Sequence, residues 1–164
     1  MTTDTTPPEL LRLLQQHAGI LHKIIRLYVD DAEDRRDLYQ EMLYETWRAF
    51  PAFRGASAFS TWLYRVALNT ALTFRKKNLR QVSLVGLDAA GHVPGEDIPA
   101  LSPAAELLYR TIRQLPETDR AVITLHLDGY DNEEIAAISG MTKNHVAVKL
   151  HRIKTELENR LKRG

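Results

Sequence analysis

The sequence predicts an all-α protein of two small helical domains joined by a flexible linker, the second domain built on a helix-turn-helix. Three observations lead there. Apolar residues recur at three- and four-residue steps through each long stretch, the spacing of one helix face. That pattern lapses from Leu79 to Ser102, where Gly86, Gly91, Pro94, Gly95 and Pro99 fall. A structureless run of this length would be unusual inside one compact domain, so it reads as a linker. Finally, from Asn132 to Val146 a short helical pattern, a glycine and a second helical pattern follow one another directly. The expected domains are therefore 1–80 and 103–164, with 81–102 between them.

Thr6-Pro7-Pro8-Glu9 predicts the first helix start, with Thr6 as N-cap, proline at the first helical position and Glu9 closing a capping box. Leu10, Leu14, Ala18, Leu21, Ile25 and Tyr28 then make one apolar stripe. Asp30-Asp31 ends that helix and supplies a cap for the next. Its buried face is expected at Leu38, Met42, Leu43, Thr46, Trp47 and Phe50, and Pro51 stops it. Residues 51–57 carry proline, glycine and serine and read as a loop. Ser57 or Ser60 is expected to cap a third helix reaching about Asn78, with Phe59, Leu63, Val66, Ala67, Thr70 and Phe74 inward. In the second domain Pro103 opens a helix over about Ala104–Gln114, which Leu115-Pro116-Glu117 breaks. Helices follow over Thr118–Leu127, ending at Asp128-Gly129, over Asn132–Ser139, ended by Gly140, and from Thr142 toward Lys162.

Composition narrows the function classes. Of the 164 residues 44 % are apolar, enough for a packed core, and the longest apolar runs are too short to span a bilayer. The first eight residues lack a basic segment followed by an apolar one, so no export and no stable membrane insertion are expected. The absence of cysteine excludes disulfides and thiolate metal sites and fits a cytoplasmic protein. The formal charge of +1 hides a segregation. Residues 30–45 hold seven acids against Arg35 and Arg36, a net −5. Residues 46–87 hold no acid and seven bases. Residues 141–164 hold seven bases against Glu156 and Glu158, a net +5. Two basic segments around an acidic one suit two polyanion contacts and a different partner for the acidic face.

Within the helix-turn-helix, small Ala136 lets a second helix cross closely and Gly140 supplies the turn, where a positive φ is needed. Ile135, Ile138, Met141 and Val146 are expected to lock the two helices, and Leu150, Ile153 and Leu157 to be core. Thr142 caps a helix whose exposed positions are expected to be Lys143, Asn144, His145, Lys149 and Arg152. The first residues of such a helix reach base edges in the major groove. His145 and His151 lie six apart, on different faces, so no metal is expected there.

The acid-free segment 53–69 interleaves Phe53, Phe59, Trp62 and Tyr64 with Arg54 and Arg65, and Arg75-Lys76-Lys77 follows. Stacking faces with cations suit an unpaired strand. Polar Ser57, Ser60, Thr61 and Asn69 suit the edges of flipped bases. The aromatics are equally good core residues. Asp37, Gln40 and Glu41 share one side of their helix, where they would repel DNA and suit a basic protein surface.

These residues resemble a family. Asp34-x-x-Asp37-Leu38-x-Gln40-Glu41, Trp47-Arg48-Ala49, Phe53-Arg54-Gly55 and the run Phe59 to Asn69 are similar to the second conserved region of extracytoplasmic-function (ECF) sigma factors. Leu115-Pro116-Glu117, Glu133-Glu134-Ile135-Ala136 and Val148-Lys149-Leu150-His151-Arg152 are similar to the fourth. The resemblance implies that Asp34, Asp37, Gln40 and Glu41 bind core RNA polymerase. It implies minus-ten promoter contacts for Phe53, Arg54, Ser57, Ser60, Thr61, Trp62, Arg65, Asn69, Arg75, Lys76 and Lys77. Minus-thirty-five contacts fall to Lys143, Asn144, His145, Ala147, Val148, Lys149, His151 and Arg152. An anti-sigma factor is the further partner it implies. Where many relatives carry Thr-Val-Lys-Ser-Arg, this chain has His145-Val146-Ala147-Val148-Lys149, so Ala147 and Val148 replace a basic and a polar position. Asp131-Asn132 likewise replaces the commoner Ser-Tyr.

Two other readings remain at this level. A dimeric helix-turn-helix repressor or activator explains the second domain and leaves the acidic face without purpose. An enzyme acting on nucleic acid finds no P-loop, no His-Glu-x-x-His and no nucleophile elbow. No cofactor and no catalytic residue are expected.

Overall fold

The computed structural model describes residues 7–77 and 100–163, with side chains over 7–74 and 100–163. Every regular element among them is helical, and the chain divides into two compact units between Pro99 and Ala100. The expected linker 81–102 lies, except for its last three residues, outside the described residues.

The first unit holds α1 (Pro8–Tyr28), α2 (Ala32–Ala49) and α3 (Phe59–Lys77), with a 3-10 turn at Phe50–Ala52 extending α2. Pro7, not Thr6, occupies the N-cap of α1, and no side chain caps it. A proline has no N–H, so the reciprocal capping-box bond from Glu9 has no donor to accept from. Thr6 itself lies outside the described residues. Leu10, Leu14, Leu21, Ile25 and Tyr28 are buried as the stripe requires, but Ala18 is half-buried. The helix kinks beside it at His17 (φ −117°, ψ 17°), which breaks the phase of the stripe.

Asp31 caps α2, its carboxylate accepting from the Asp34 N–H at 3.0 Å. Arg35 Nε donates to the Val29 carbonyl at 2.9 Å and so ties the first turn of α2 to the end of α1. Leu38, Tyr39, Met42 and Thr46 are the buried face of α2, while Leu43, Trp47 and Phe50 are half-buried. Thr46 sits in the core because its hydroxyl donates to the Met42 carbonyl at 2.7 Å, and Thr70 does the same to Val66 at 2.7 Å.

Both α1 and α2 pack on α3. Its buried arc is therefore wider than one stripe: Tyr64, Leu68 and Ala71 join Phe59, Leu63, Ala67 and Thr70, while Val66 and Phe74 are half-buried. The Trp62 N–H donates to the Ala58 carbonyl at 3.1 Å, so Ala58 stands at the N-cap and neither Ser57 nor Ser60 does. Burial of Phe59, rather than a hydroxyl cap, fixes where α3 starts.

The second unit holds α4 (Pro103–Arg113), α5 (Glu117–Leu127), α6 (Asn132–Ser139) and α7 (Lys143–Arg163). Ser102 caps α4, accepting from the Ala105 N–H at 3.2 Å, and Asp131 caps α6, accepting from Glu134 at 2.8 Å. Gly140 takes φ +76° and donates to the Ala136 carbonyl at 3.0 Å, closing α6 as a left-handed residue does. Thr142 then caps α7, accepting from the His145 N–H at 3.1 Å. Helices α4, α5 and α6 all pack on α7, whose buried stripe is Val146, Leu150, Ile153 and Leu157. Ile135 and Ile138 of α6 are buried, as expected, while Met141 is only half-buried.

An ion pair crosses this core. Asp119 in the first turn of α5 has a side chain only 6 % exposed, and Lys149 Nζ donates to its Oδ1 at 2.6 Å. Arg152 Nη2 approaches the same carboxylate at 3.3 Å. Burying Asp119 is tolerable because both partners are cations of α7, so the pair pins α7 to α5.

Removing one partner should therefore cost more than removing both. We expect Lys149→Met to destabilise the second unit by about 1–3 kcal/mol, and Lys149→Met with Asp119→Leu to recover much of that. Hydrogen exchange across residues 103–163 reads the difference; equal losses in the single and double variants would contradict it.

In the first unit His22 is buried against Tyr39, the rings 5.5 Å apart and 8° from parallel, and its Nδ1 has no partner among the described residues. Burial, with Arg26 adding to it, lowers its pKa below the ordinary 6.5. The unfolded chain then binds this proton more readily, so the contribution of His22 to stability is full above pH 6.5 and is lost as pH falls toward the depressed folded value. Trp47 and Trp62, the two tryptophans, both report this unit. Denaturation followed by their fluorescence should show stability falling through this window, and His22→Gln should flatten the slope.

Candidate functional site

Three surfaces collect the residues singled out above. On α2 the buried stripe Leu38, Met42 and Thr46 turns Asp37, Gln40 and Glu41 outward on the opposite side. Asp37 is exposed, and Gln40 and Glu41 are half-exposed. Asp34 is half-exposed in the first turn, where its N–H is taken by the Asp31 cap. An open groove of about 290 Å³ runs between α2 and α3, bordered by Glu41, Glu45, Arg48, Asn69 and Thr73. On its rim Arg48 is paired with Glu45 at 2.6 Å. The acidic face thus continues to the edge of α3.

The second surface surrounds the start of α3. Phe53, Phe59 and Trp62 form an aromatic cluster, with Phe53 and Trp62 tilted at 5.1 Å and Phe53 and Phe59 edge-on at 5.8 Å between centroids. Phe50 meets Trp62 edge-on at 6.2 Å, and His17 of α1 meets Phe59 at 5.4 Å. Phe59 is buried, whereas Phe53 and Trp62 keep part of their rings in solvent. The aromatics therefore serve packing first, and two of them are also partly exposed. Gly55 takes φ +74° and turns the loop that carries exposed Arg54 and Ser57. Ser60 and Thr61 are half-exposed, and Thr61, Arg65 and Asn69 follow at four-residue steps along α3. Arg75, Lys76 and Lys77 form its last turn; their side chains lie outside the described residues.

The third surface is the outer face of α7. Lys143, Asn144, His145, Ala147, Val148, His151 and Arg152 are all exposed. Lys149 is a correction: expected among the exposed donors, its side chain is 16 % exposed and turned inward onto Asp119. The reason is geometric, since position 149 borders the buried stripe and a buried carboxylate faces it. Arg152 shares that carboxylate but stays 61 % exposed. Nothing local in the sequence marks Asp119, since an acid in a first turn already has a role with the helix dipole. Its partner Lys149 lies 30 residues on, and only the fold brings them together.

Among the described residues no group of three or more His, Cys, Asp or Glu is placed to hold a metal ion. No helix among them is long and apolar enough to cross a membrane.

Comparison with known proteins places both units. The sigma-70 region 2 model matches residues 13–81 and the sigma-70 region 4 model residues 105–157. The chain is 35 % identical over 156 residues to the ECF RNA polymerase sigma-E factor of Escherichia coli (strain K12), covering 85 % of this chain and 81 % of that one. It is 34 % identical over 168 residues to the RNA polymerase sigma-H factor of Pseudomonas aeruginosa, covering 93 % and 85 %. Two solved structures share its fold. One is the sigma factor RpoE in complex with the anti-sigma factor NepR from Bartonella quintana, with TM-score 0.72, 21 % identity, and 95 % and 98 % of the two chains covered. The other is CnrH in complex with the cytosolic domain of CnrY, with TM-score 0.64, 21 % identity, and 93 % and 87 % covered. With region 2 in its first unit, region 4 in its second and close relatives along most of its length, the chain belongs to the ECF sigma factors of RNA polymerase.

Proposed function

We propose that this sigma factor binds core RNA polymerase through the outward face of α2 and brings it to promoters that it reads with α3 and α7. The observation that carries the reading is the segregation of charge: an acidic α2 beside an α3 that contains no acid, and, in the other unit, an acid-free first half of α7. A protein that used all of itself on DNA would not keep a net −5 segment beside its nucleic-acid face.

In this reading Asp37, Gln40 and Glu41 dock a basic surface of the polymerase, with Asp34 beside them. Phe53 and Trp62 offer the stacking faces for unpaired minus-ten bases, and Ser57, Ser60, Thr61 and Asn69 the polar edges. Arg54, Arg65 and the Arg75-Lys76-Lys77 turn follow the backbone. In the second unit Lys143, Asn144, His145, His151 and Arg152 line the face that enters the minus-thirty-five major groove. Lys149 positions that face through Asp119 instead of touching phosphate. No catalytic residue is assigned, and the polymerase sets the place of action in the cytoplasm. Control by an anti-sigma factor is part of the proposal, supported by the two complexes in which similar folds were solved.

Two tests separate the surfaces. Asp37→Lys with Glu41→Lys should abolish co-purification with core polymerase while the far-ultraviolet circular dichroism stays unchanged, since Asp37 is exposed and Glu41 half-exposed. Retained co-purification would show that the docking face lies elsewhere. Replacing Lys143 and Arg152 by alanine should make the dependence of promoter affinity on salt shallower by about one unit of slope per cation. An unchanged slope would remove both from phosphate contact.

A further inference from the structure

The outer face of α7 has an apolar centre. Val148 is 63 % exposed, more than any other large apolar side chain among the described residues. At about 100° per residue it lies opposite the buried stripe Val146, Leu150, Ile153 and Leu157, at the midpoint of the solvent face. Asn144 stands one turn before it, and His151 and Arg152 stand one turn after, all exposed. Val148 lies outside the buried core of its unit, and a β-branched residue is a poor choice for an exposed helix position. Lone exposed apolar residues are common on protein surfaces. This one differs in being ringed by hydrogen-bond donors on a stretch of α7 whose first acid is Glu156.

The Asp119 tie sharpens that arrangement. It draws the Lys149 ammonium inward and leaves no lysine over the middle of the face. What remains is an apolar centre with a polar rim on the helix that a helix-turn-helix lays in the major groove. The 5-methyl group of thymine is the one apolar group that base pairs present in that groove.

From this we infer that Val148 reads a thymine methyl in the minus-thirty-five element, making it a specificity-determining residue of this chain. The inference rests on the promoter-binding role proposed above for α7. Ala147 is exposed too, but it lies about 100° round the helix from Val148, off the centre of the face. Arg152, held at 3.3 Å by Asp119, is oriented to flank Val148 with a charged donor.

The test uses the full chain with core polymerase and a synthetic promoter library randomised over the minus-thirty-five segment. The library is built twice, with thymine or with deoxyuridine confined to that segment, and stable complexes are sequenced. The wild type should enrich thymine at one position, and deoxyuridine should lower that enrichment by about fourfold, the worth of one buried methyl. Val148→Thr, which keeps a methyl, should retain most of the preference; Val148→Ser should lose it while still selecting the flanking bases. Equal enrichment of thymine and deoxyuridine by the wild type, or an undiminished preference in Val148→Ser, overturns the inference and leaves the promoter-binding reading standing. Failure to enrich any minus-thirty-five sequence overturns both.

Discussion

Each long helix of this protein has one face fixed by packing, and that fixation decides which residues are left to bind. A unit of three or four helices buries a stripe of each and turns the opposite stripe to solvent. In α2 the stripe Leu38, Met42 and Thr46 sends Asp37, Gln40 and Glu41 outward, and in α7 the stripe Val146, Leu150, Ile153 and Leu157 does the same for Asn144, Val148 and His151. The cores are small, so single polar contacts carry weight in holding the stripes in place. Arg35 on the Val29 carbonyl fixes how α2 leaves α1, and Asp119 with Lys149 fixes how α7 lies on α5.

Charge is laid over this frame with little mixing. The acidic run falls on the outer side of one helix, and the next helix carries bases alone. Charges of opposite sign are thus kept on different helix faces, which in the proposed role meet different partners. The arrangement suits the proposed role, in which α2 meets a basic protein surface while α3 and α7 meet a polyanion. The Asp119 pair shows the same economy inside the second unit. One cation is withdrawn to hold the helix, while another, Arg152, remains at the surface.

Most of the fold was legible in the residues because helix periodicity and its punctuation are local. Asp31, Ser102, Asp131, Gly140 and Thr142 stop or start helices through bonds to residues within four positions, and α6 spans Asn132–Ser139 as its sequence pattern requires. What the residues did not disclose depends on contacts between elements. The wide buried arc of α3 reflects two helices packing on it, the half-burial of Ala18 reflects a kink at His17, and the start of α3 reflects burial of Phe59. The site divides along the same line. The outward faces of α2 and α7 follow from periodicity, whereas the inward turn of Lys149 and the clustering of Phe53, Phe59 and Trp62 follow from tertiary contacts.

The most direct measurement is transcription in vitro from fragmented genomic DNA of the source organism, with core polymerase alone and with this chain added, followed by mapping of the RNA 5′ ends. Added chain should create a discrete set of new start sites that share two sequence elements upstream, at the spacing of minus-ten and minus-thirty-five. A set of 5′ ends identical with and without the chain would contradict the central claim that its two helical units, together with the acidic face of α2, direct the polymerase.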